Sequence, residues 1–183
     1  LSILNQTYRD FELIIIDDGS LDKSLSIINS FNDNRIKVIS NNNNLGQRIS
    51  RNKAIKIAQG KYIAIFDSDD IARHAKLQEQ FDVMTNDPSI DICFAKSALI
   101  DCNSKKICNV WYPSLETILK FQNWNFIGHN TVMMKKSTFN NIGGYDESKN
   151  CTGADTELWI KLKKENKKFY FINSIHVDYR INP

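Results

Sequence analysis

Four short apolar runs punctuate the first half of the chain: Phe11 to Ile16, Arg35 to Ile39, Lys61 to Phe66 and Ile90 to Ala95. Their β-branched, nearly unbroken hydrophobicity predicts strands covered on both faces. Segments with helical periodicity separate them. Asp22 to Phe31 follows Ser20, a residue suited to capping a helix. Gln47 to Gln59 carries Ile49, Ile55 and Ala58 and stops at Gly60, a helix-terminating residue. Ala72 to Thr85 sets Leu77, Phe81 and Met84 on one face and ends before Pro88. Strands alternating with helices predict an α/β domain with a mostly parallel sheet, right-handed crossovers and flanking helices.

The pattern changes after Ala95. Ser97 to Tyr112 alternates without a helical period. Leu115 to Phe121 reads as a helix and Asn130 to Lys135 as a strand, and Gly143-Gly144 marks a turn. Asp155 to Glu165 reads as a helix that points Leu158, Trp159 and Leu162 inward, and Lys168 to Ile172 as a last strand. No repeat, low-complexity tract or linker interrupts the chain, so residues 1–183 are expected to form a single domain.

Composition narrows the function classes. Hydrophobic residues make up 42% and charged residues 25% of the 183, the balance of a globular protein with a real core. A net charge of +3 is too small for a dedicated nucleic-acid binder. The densest basic run, Lys161 to Lys168, reads as a solvated helix end. No apolar run approaches the roughly 20 residues of a membrane span, and Leu1-Ser2-Ile3-Leu4 does not open a signal peptide. Cys93, Cys102, Cys108 and Cys151 form no C-x-x-C pair, which argues against a structural zinc and for free thiols in a reducing cytoplasm.

Four motifs carry candidate chemistry. Asp17 and Asp18 close the first apolar run, at the strand end that faces the ligand crevice in open α/β sheets. They suit hydrogen bonds to a base or a ribose, and also suit a plain strand-to-helix turn. Asp67, Asp69 and Asp70 close the third run. Three carboxylates in four residues repel one another unless a cation or donors neutralise them. Hard oxygen ligands of this kind suit Mg²⁺ or Mn²⁺ beside substrate phosphates; the other reading is an acidic turn capping a helix that starts at Ile71. Asn44-Leu45-Gly46 precedes Arg51-Asn52, where Arg51 can pair with a carboxylate or a phosphate. Gly153-Ala154-Asp155-Thr156-Glu157-Leu158-Trp159 opens a helix, with Asp155 either a first-turn acid or a base. His129 and His176 are expected to be ordinary satisfied histidines, and Trp111, Trp124 and Trp159 to pack in the core.

Taken in order, these motifs resemble the family-2 glycosyltransferases, which have the GT-A fold. The residues that carry the likeness are Ser2-Ile3-Leu4-Asn5-Gln6-Thr7-Tyr8, Phe11-Glu12 through Ser20, Asn44-Leu45-Gly46, Arg51-Asn52, Gly60-Lys61-Tyr62-Ile63-Ala64, Asp67-Ser68-Asp69-Asp70, Gly143-Gly144-Tyr145-Asp146-Glu147 and Asp155-Thr156-Glu157-Leu158-Trp159. The resemblance implies inverting transfer of a sugar from a nucleotide diphosphate donor, commonly UDP-linked, to a hydroxyl acceptor, with Mn²⁺ or Mg²⁺. It implies Asp17 and Asp18 at the base and ribose, Arg51 and Asp67 in nucleotide-sugar binding, Asp67 and Asp69 in the DxD element with Asp69 on the metal, and Asp155 as general base. It also implies a glycan or lipid-linked acceptor, cell-surface polysaccharide synthesis, and a cytoplasmic site of action with peripheral membrane association left open.

Two departures stand out. Ala154 replaces the Glu that the family usually carries before the base. The family's first strand has no counterpart, since Leu1 matches the helix after it, so the domain is expected to be N-terminally truncated. An inactive nucleotide-sugar-binding fragment is therefore the alternative. A nucleotidyltransferase would need a basic, Gly-rich triphosphate loop, which the sequence lacks.

Overall fold

The computed structural model describes residues 1–120, 126–148 and 153–181. Strands β1 (Leu13–Asp17) and β2 (Ile36–Ser40) pair in parallel, Leu13 opposite Ile36, and flank helix α1 (Ser24–Asn29). Helix α2 (Gln47–Ile57) leads to β3 (Tyr62–Ala64), and the two-residue β4 (Ile71–Ala72) precedes helix α3 (Lys76–Asn86). A long strand β5 (Ile92–Ile100) turns into β6 (Lys106–Asn109), followed by helix α4 (Leu115–Lys120). Strand β7 (Met133–Lys135) runs into helix α5 (Lys136–Asn141), and helix α6 (Ala154–Lys164) into β8 (Phe169–Arg180).

The α/β class with flanking helices holds, and the sheet is mixed. Six strands form the order β3-β7-β5-β8-β4, with β6 on β5. Among the described residues, β1–β2 and β5–β8 are the parallel ladders, and the other pairings are antiparallel. The parallel expectation came from the strands of the first half, where helices supply the crossovers. The antiparallel ladders involve second-half strands, as β6 folds back on β5 as a hairpin, β7 lies antiparallel to β3 and β5, and β8 runs antiparallel to β4.

Several boundaries moved for physical reasons. The helix expected from Ala72 starts at Lys76, because Ile71 and Ala72 pair with Asp178 and Val177 of β8. The backbone N–H of Arg73 then donates to the His176 carbonyl at 2.8 Å. The strand expected over Lys168 to Ile172 runs on to Arg180, since β5 offers it a partner as far as Ile100. Ser20 does not cap α1; its backbone N–H donates to Asp17 Oδ1, and Lys23 stands at the helix start.

Strand β5 is the axis of the core. Ile92 and Phe94 join Ile118, Ile127, Leu158, Trp159 and Leu162 in one cluster. Cys93 and Ala95, one step out of phase, join Leu77, Met84 and Ile90 in the other. A strand buried on both faces explains its near-continuous hydrophobicity. Trp159 is fully buried as expected, whereas Trp111 is 74% exposed; Trp124 and Cys151 lie outside the described residues. Cys93, Cys102 and Cys108 are free thiols. Among the described residues, no helix is long and apolar enough to cross a membrane.

Among the described residues, β1 pairs with β2 and β3 with β7, and no ladder joins β1 to β3. Their starts nonetheless lie together, because Glu12 Oε1 accepts the backbone N–H groups of Gln59 and Gly60.

Truncating Phe94 to Ala should cost about 3–5 kcal/mol of stability by urea denaturation, the usual cost of a large cavity in a core. Trp111→Ala should stay within about 0.5 kcal/mol, as for an exposed side chain. Equal losses would refute this assignment of the core.

Candidate active site

Helix α2 gathers the motifs. Arg48, Arg51 and Asn52 recur at i, i+3 and i+4 and so share one helix face. Arg51 Nη2 donates to Asp67 Oδ1 at 2.9 Å. Arg48 Nη1 donates to Glu157 Oε2 at 2.8 Å, on the helix that carries Asp155. Asn52 Nδ2 donates to the Tyr145 carbonyl at 2.9 Å and to Glu147 Oε1 at 2.8 Å, and its Oδ1 accepts the Tyr145 N–H at 3.1 Å. Gly144 adopts φ +63°, and a Cβ there would meet Asn52 Oδ1 at 2.9 Å. The Gly-Gly turn is therefore shaped to let Asn52 approach.

The acidic pair divides its work. Asp17 is buried at the end of β1, and hydrogen bonds from Ser20 and Ser40 hold its carboxyl below the usual range. Asp18 Oδ1 accepts from Asn41 Nδ2 at 2.7 Å, Ser50 Oγ at 2.9 Å and Leu45 N–H at 3.0 Å, and its Oδ2 accepts from Gly46 N–H at 2.9 Å. Burial works to raise its pKa, but these four donors together lower it. Asp18 thus fastens the Asn44-Leu45-Gly46 loop to β1, with Gly46 at φ +88°.

The acidic turn also divides. Asp69 is exposed, whereas Asp70 is 7% exposed. Asp70 Oδ1 accepts the Arg180 N–H at 2.8 Å, and Oδ2 accepts from Asn130 Nδ2. Burial, helped by the charges of Asp69 and Asp67, pushes the Asp70 carboxyl up against those hydrogen bonds. Of the three carboxylates, Asp70 anchors the turn.

Asp155 stands in the first turn of α6, where its Oδ1 accepts the Thr156 N–H at 2.8 Å. Through Arg51–Asp67 and Arg48–Glu157, α2 ties the acidic turn to the helix that carries Asp155. The Tyr179 phenol is raised first by its burial, then by Asp70, Asp69, Asp67 and Asp155. Tyr179 and Arg180, at the end of β8, escaped the sequence reading, which stopped that strand at Ile172. Arg48 escaped it as well, although its helical spacing to Arg51 and Asn52 was a usable signal.

His129 is 8% exposed, and its Nε2 meets Tyr145 Oη at 2.6 Å. Burial, with the Arg51 charge second, pushes its pKa down to about 3. It is a neutral core residue hydrogen-bonded to the Tyr145 hydroxyl, in keeping with the expectation of a satisfied histidine. His176 Nε2 likewise meets Glu79 Oε2 at 2.9 Å, and its pKa is lowered by burial.

The sequence pattern of glycosyl transferase family 2 matches residues 1–142. The chain belongs to this family. It is 39% identical over 98% of its length to an uncharacterized glycosyltransferase of Methanocaldococcus jannaschii, of which it spans 63%. It is 32% identical over 99% of its length to an Escherichia coli protein, of which it spans 70%. That relative is named UDP-Glc:alpha-D-GlcNAc-diphosphoundecaprenol beta-1,3-glucosyltransferase WfaP. The crystal structure of Staphylococcus aureus TarS 1-349 in complex with UDP superposes on all of this chain with a TM-score of 0.76, at 18% identity and over 55% of its own length. At that identity the likeness concerns the fold, which is that of GT-A-type glycosyltransferases.

His129 generates a pH prediction. In the unfolded chain it takes up a proton near pH 6.5, but in the folded chain only near pH 3. The unfolded state therefore binds more protons between these values, and stability falls as pH drops through the window. From pH 7 to pH 5 its share of the loss should be about 2 kcal/mol. His129→Gln should flatten the urea-midpoint profile over that range; an unchanged slope would mean that other groups set it.

Proposed function

We propose that the chain forms the donor-binding and catalytic part of a glycosyltransferase that moves a sugar from a nucleotide diphosphate, a uridine one in the first instance, to a hydroxyl acceptor. The observation that carries this reading is the bridging by α2. Arg51 and Arg48, one helical turn apart, hold the acidic turn through Asp67 and the Asp155 helix through Glu157. In this reading the donor-binding carboxylates and the base work together at the strand ends, where α/β sheets bind ligands.

The donor's base and ribose sit against Asp17 and the loop that Asp18 fastens. Arg51 stands where a diphosphate oxygen can compete with Asp67 for its guanidinium. Among the described residues, no three His, Cys, Asp or Glu side chains converge into a metal site of their own. The donor set does fit a hard divalent cation shared with the diphosphate, since Asp69 is an exposed carboxylate residue and Asp67 lies two residues away. Mn²⁺ or Mg²⁺ held there supplies charge neutralisation to the departing diphosphate. Asp155 takes the proton of the acceptor hydroxyl as its oxygen bonds the anomeric carbon and the bond to the diphosphate breaks, so that the anomeric configuration inverts. The acceptor hydroxyl is too weak an acid to give up its proton beforehand, so proton transfer accompanies bond formation instead of preceding it. The E. coli relative's name points to a lipid-linked diphosphate sugar as the kind of acceptor, and cell-surface polysaccharide synthesis is the setting this reading assigns. Such an acceptor would be met at the inner face of the membrane, by a cytoplasmic domain bound peripherally.

The same reading treats residues 1–183 as a single domain whose two sheets are joined by a strand outside this segment. The support is that β1 and β3 lie near each other through Glu12 and share no ladder. Unpaired edges seek partners. The amides of Leu13–Asp17 and Tyr62–Ala64 should therefore exchange slowly in the full-length protein and faster in the 1–183 segment. Equal exchange would make the segment self-sufficient.

Two measurements test the activity. Calorimetry should show UDP binding at least tenfold tighter with Mn²⁺ than with EDTA, and Asp69→Ala should abolish the difference; equal affinities would remove the metal from the scheme. Asp155→Asn should slow single-turnover transfer by about 10²–10⁴ while UDP affinity holds. Near-parental transfer would reduce Asp155 to a first-turn acid. Intact UDP binding with no transfer from any donor to any acceptor in the parent would favour the alternative, an inactive nucleotide-sugar-binding fragment.

A further inference from the structure

We infer that Arg180 is a positioning residue that presents Asp69 to the metal-bound diphosphate by clamping the acidic turn to the β5–β6 hairpin. The inference rests on the glycosyltransferase reading above. The Arg180 guanidinium reaches two separate segments. Its Nε donates to the Asp69 carbonyl at 2.8 Å. Its Nη1 donates to the carbonyls of Asp101 at 2.8 Å and Cys102 at 3.0 Å, and Nη2 to Ser104 Oγ at 3.0 Å. Its own backbone N–H holds Asp70 Oδ1. One residue thus grips both the backbone of Asp69 and the side chain of Asp70.

The far side of the clamp is itself built. Asp101 Oδ1 accepts the N–H groups of Asn103 and Lys105, and the Asp101 carbonyl accepts the Ser104 N–H. Ser104 sits at φ +64°, a left-handed conformation that non-glycine residues seldom adopt. The hairpin tip is therefore a preformed cradle of two carbonyls and a hydroxyl facing Arg180. Register supports the placement, since Arg180 lies opposite Ile100 of β5, and Ile100 lies opposite Lys106 of β6. A planar fork with five N–H donors spans the two segments in a fixed geometry, which the compact ammonium of a lysine does not reproduce. Asp70 and Asn130 fix the buried end of the turn. Arg180 fixes its exposed end, where a carboxylate must be held still to bind a hard cation in a narrow geometry.

The test measures UDP and uridine affinities, each with Mn²⁺ and with EDTA, in the full-length parent and in Arg180→Lys and Arg180→Met variants of matched thermal stability. Uridine lacks the diphosphate and reports the base and ribose pocket alone. In Arg180→Lys, uridine affinity and metal-free UDP affinity should stay within about twofold of the parent. The Mn²⁺-dependent gain for UDP should fall several-fold, and in Arg180→Met at least tenfold. If the methionine variant does not fold, the lysine variant decides alone. A parental Mn²⁺ gain in the lysine variant would overturn the inference, as would a parallel drop in uridine affinity, which would mark Arg180 as a general structural staple. A parent with no Mn²⁺ gain at all would bring down the metal reading itself and the inference with it, an outcome distinct from a variant that merely matches the parent.

Discussion

The arrangement of this chain depends on what one face of α2 holds. Arg48, Arg51 and Asn52 reach the Asp155 helix, the acidic turn and the Gly-Gly-Tyr turn, while Ser50 reaches Asp18. Each contact spans a large gap in sequence, so the helix converts distant motifs into neighbours. Half-exposed ion pairs contribute little to stability, about 0–1 kcal/mol each. Their value here is geometric, since two forked donors on a rigid helix fix the distance between the elements they hold. The 6% exposure of Arg48 makes its pair with Glu157 the more demanding one, because a buried charge that loses its partner is costly.

Beneath the acidic turn lies a second, buried layer of polar contacts. Lys76 is fully buried, and its Nζ donates to Gln80 Oε1 at 3.0 Å; burial lowers its pKa to about 8. Gln80 Nε2 in turn donates to the Thr131 carbonyl at 2.7 Å, and Asn130 beside it holds Asp70. A satisfied buried network of this kind rigidifies what rests on it. The turn is thus supported from below by α3 and the His129–Thr131 segment, and from the side by β8.

The division among carboxylates follows from this support. Three acids in four residues carry a repulsion that the fold relieves unequally. Asp67 is met by Arg51, and Asp70 is buried among donors. Asp69 differs from both in being exposed to solvent. The same logic separates Asp17 from Asp18, where the second acid is committed to the loop that the first one borders.

The sequence by itself determined the local elements and the chemistry they carry. Periodicity marked α2 to within two residues of its end, the Asp155 helix to within one, strands β1, β2 and β3, and the start of β5, while it missed β4 and the extension of β5 to Ile100. It could do so because helical period and strand hydrophobicity are properties of adjacent residues. The family was legible too, in the order and spacing of its motifs. What only the tertiary structure decided was pairing. The length of β8, the bridging of Ile71 and Ala72, and the antiparallel ladders of β5 and β7 depend on partners far along the chain, which no local pattern encodes. The division of labour among Asp67, Asp69 and Asp70 was equally hidden. It is set by burial and by donors from Arg51, Asn130 and Arg180, and identical side chains a residue apart acquire different roles only when the fold surrounds them differently.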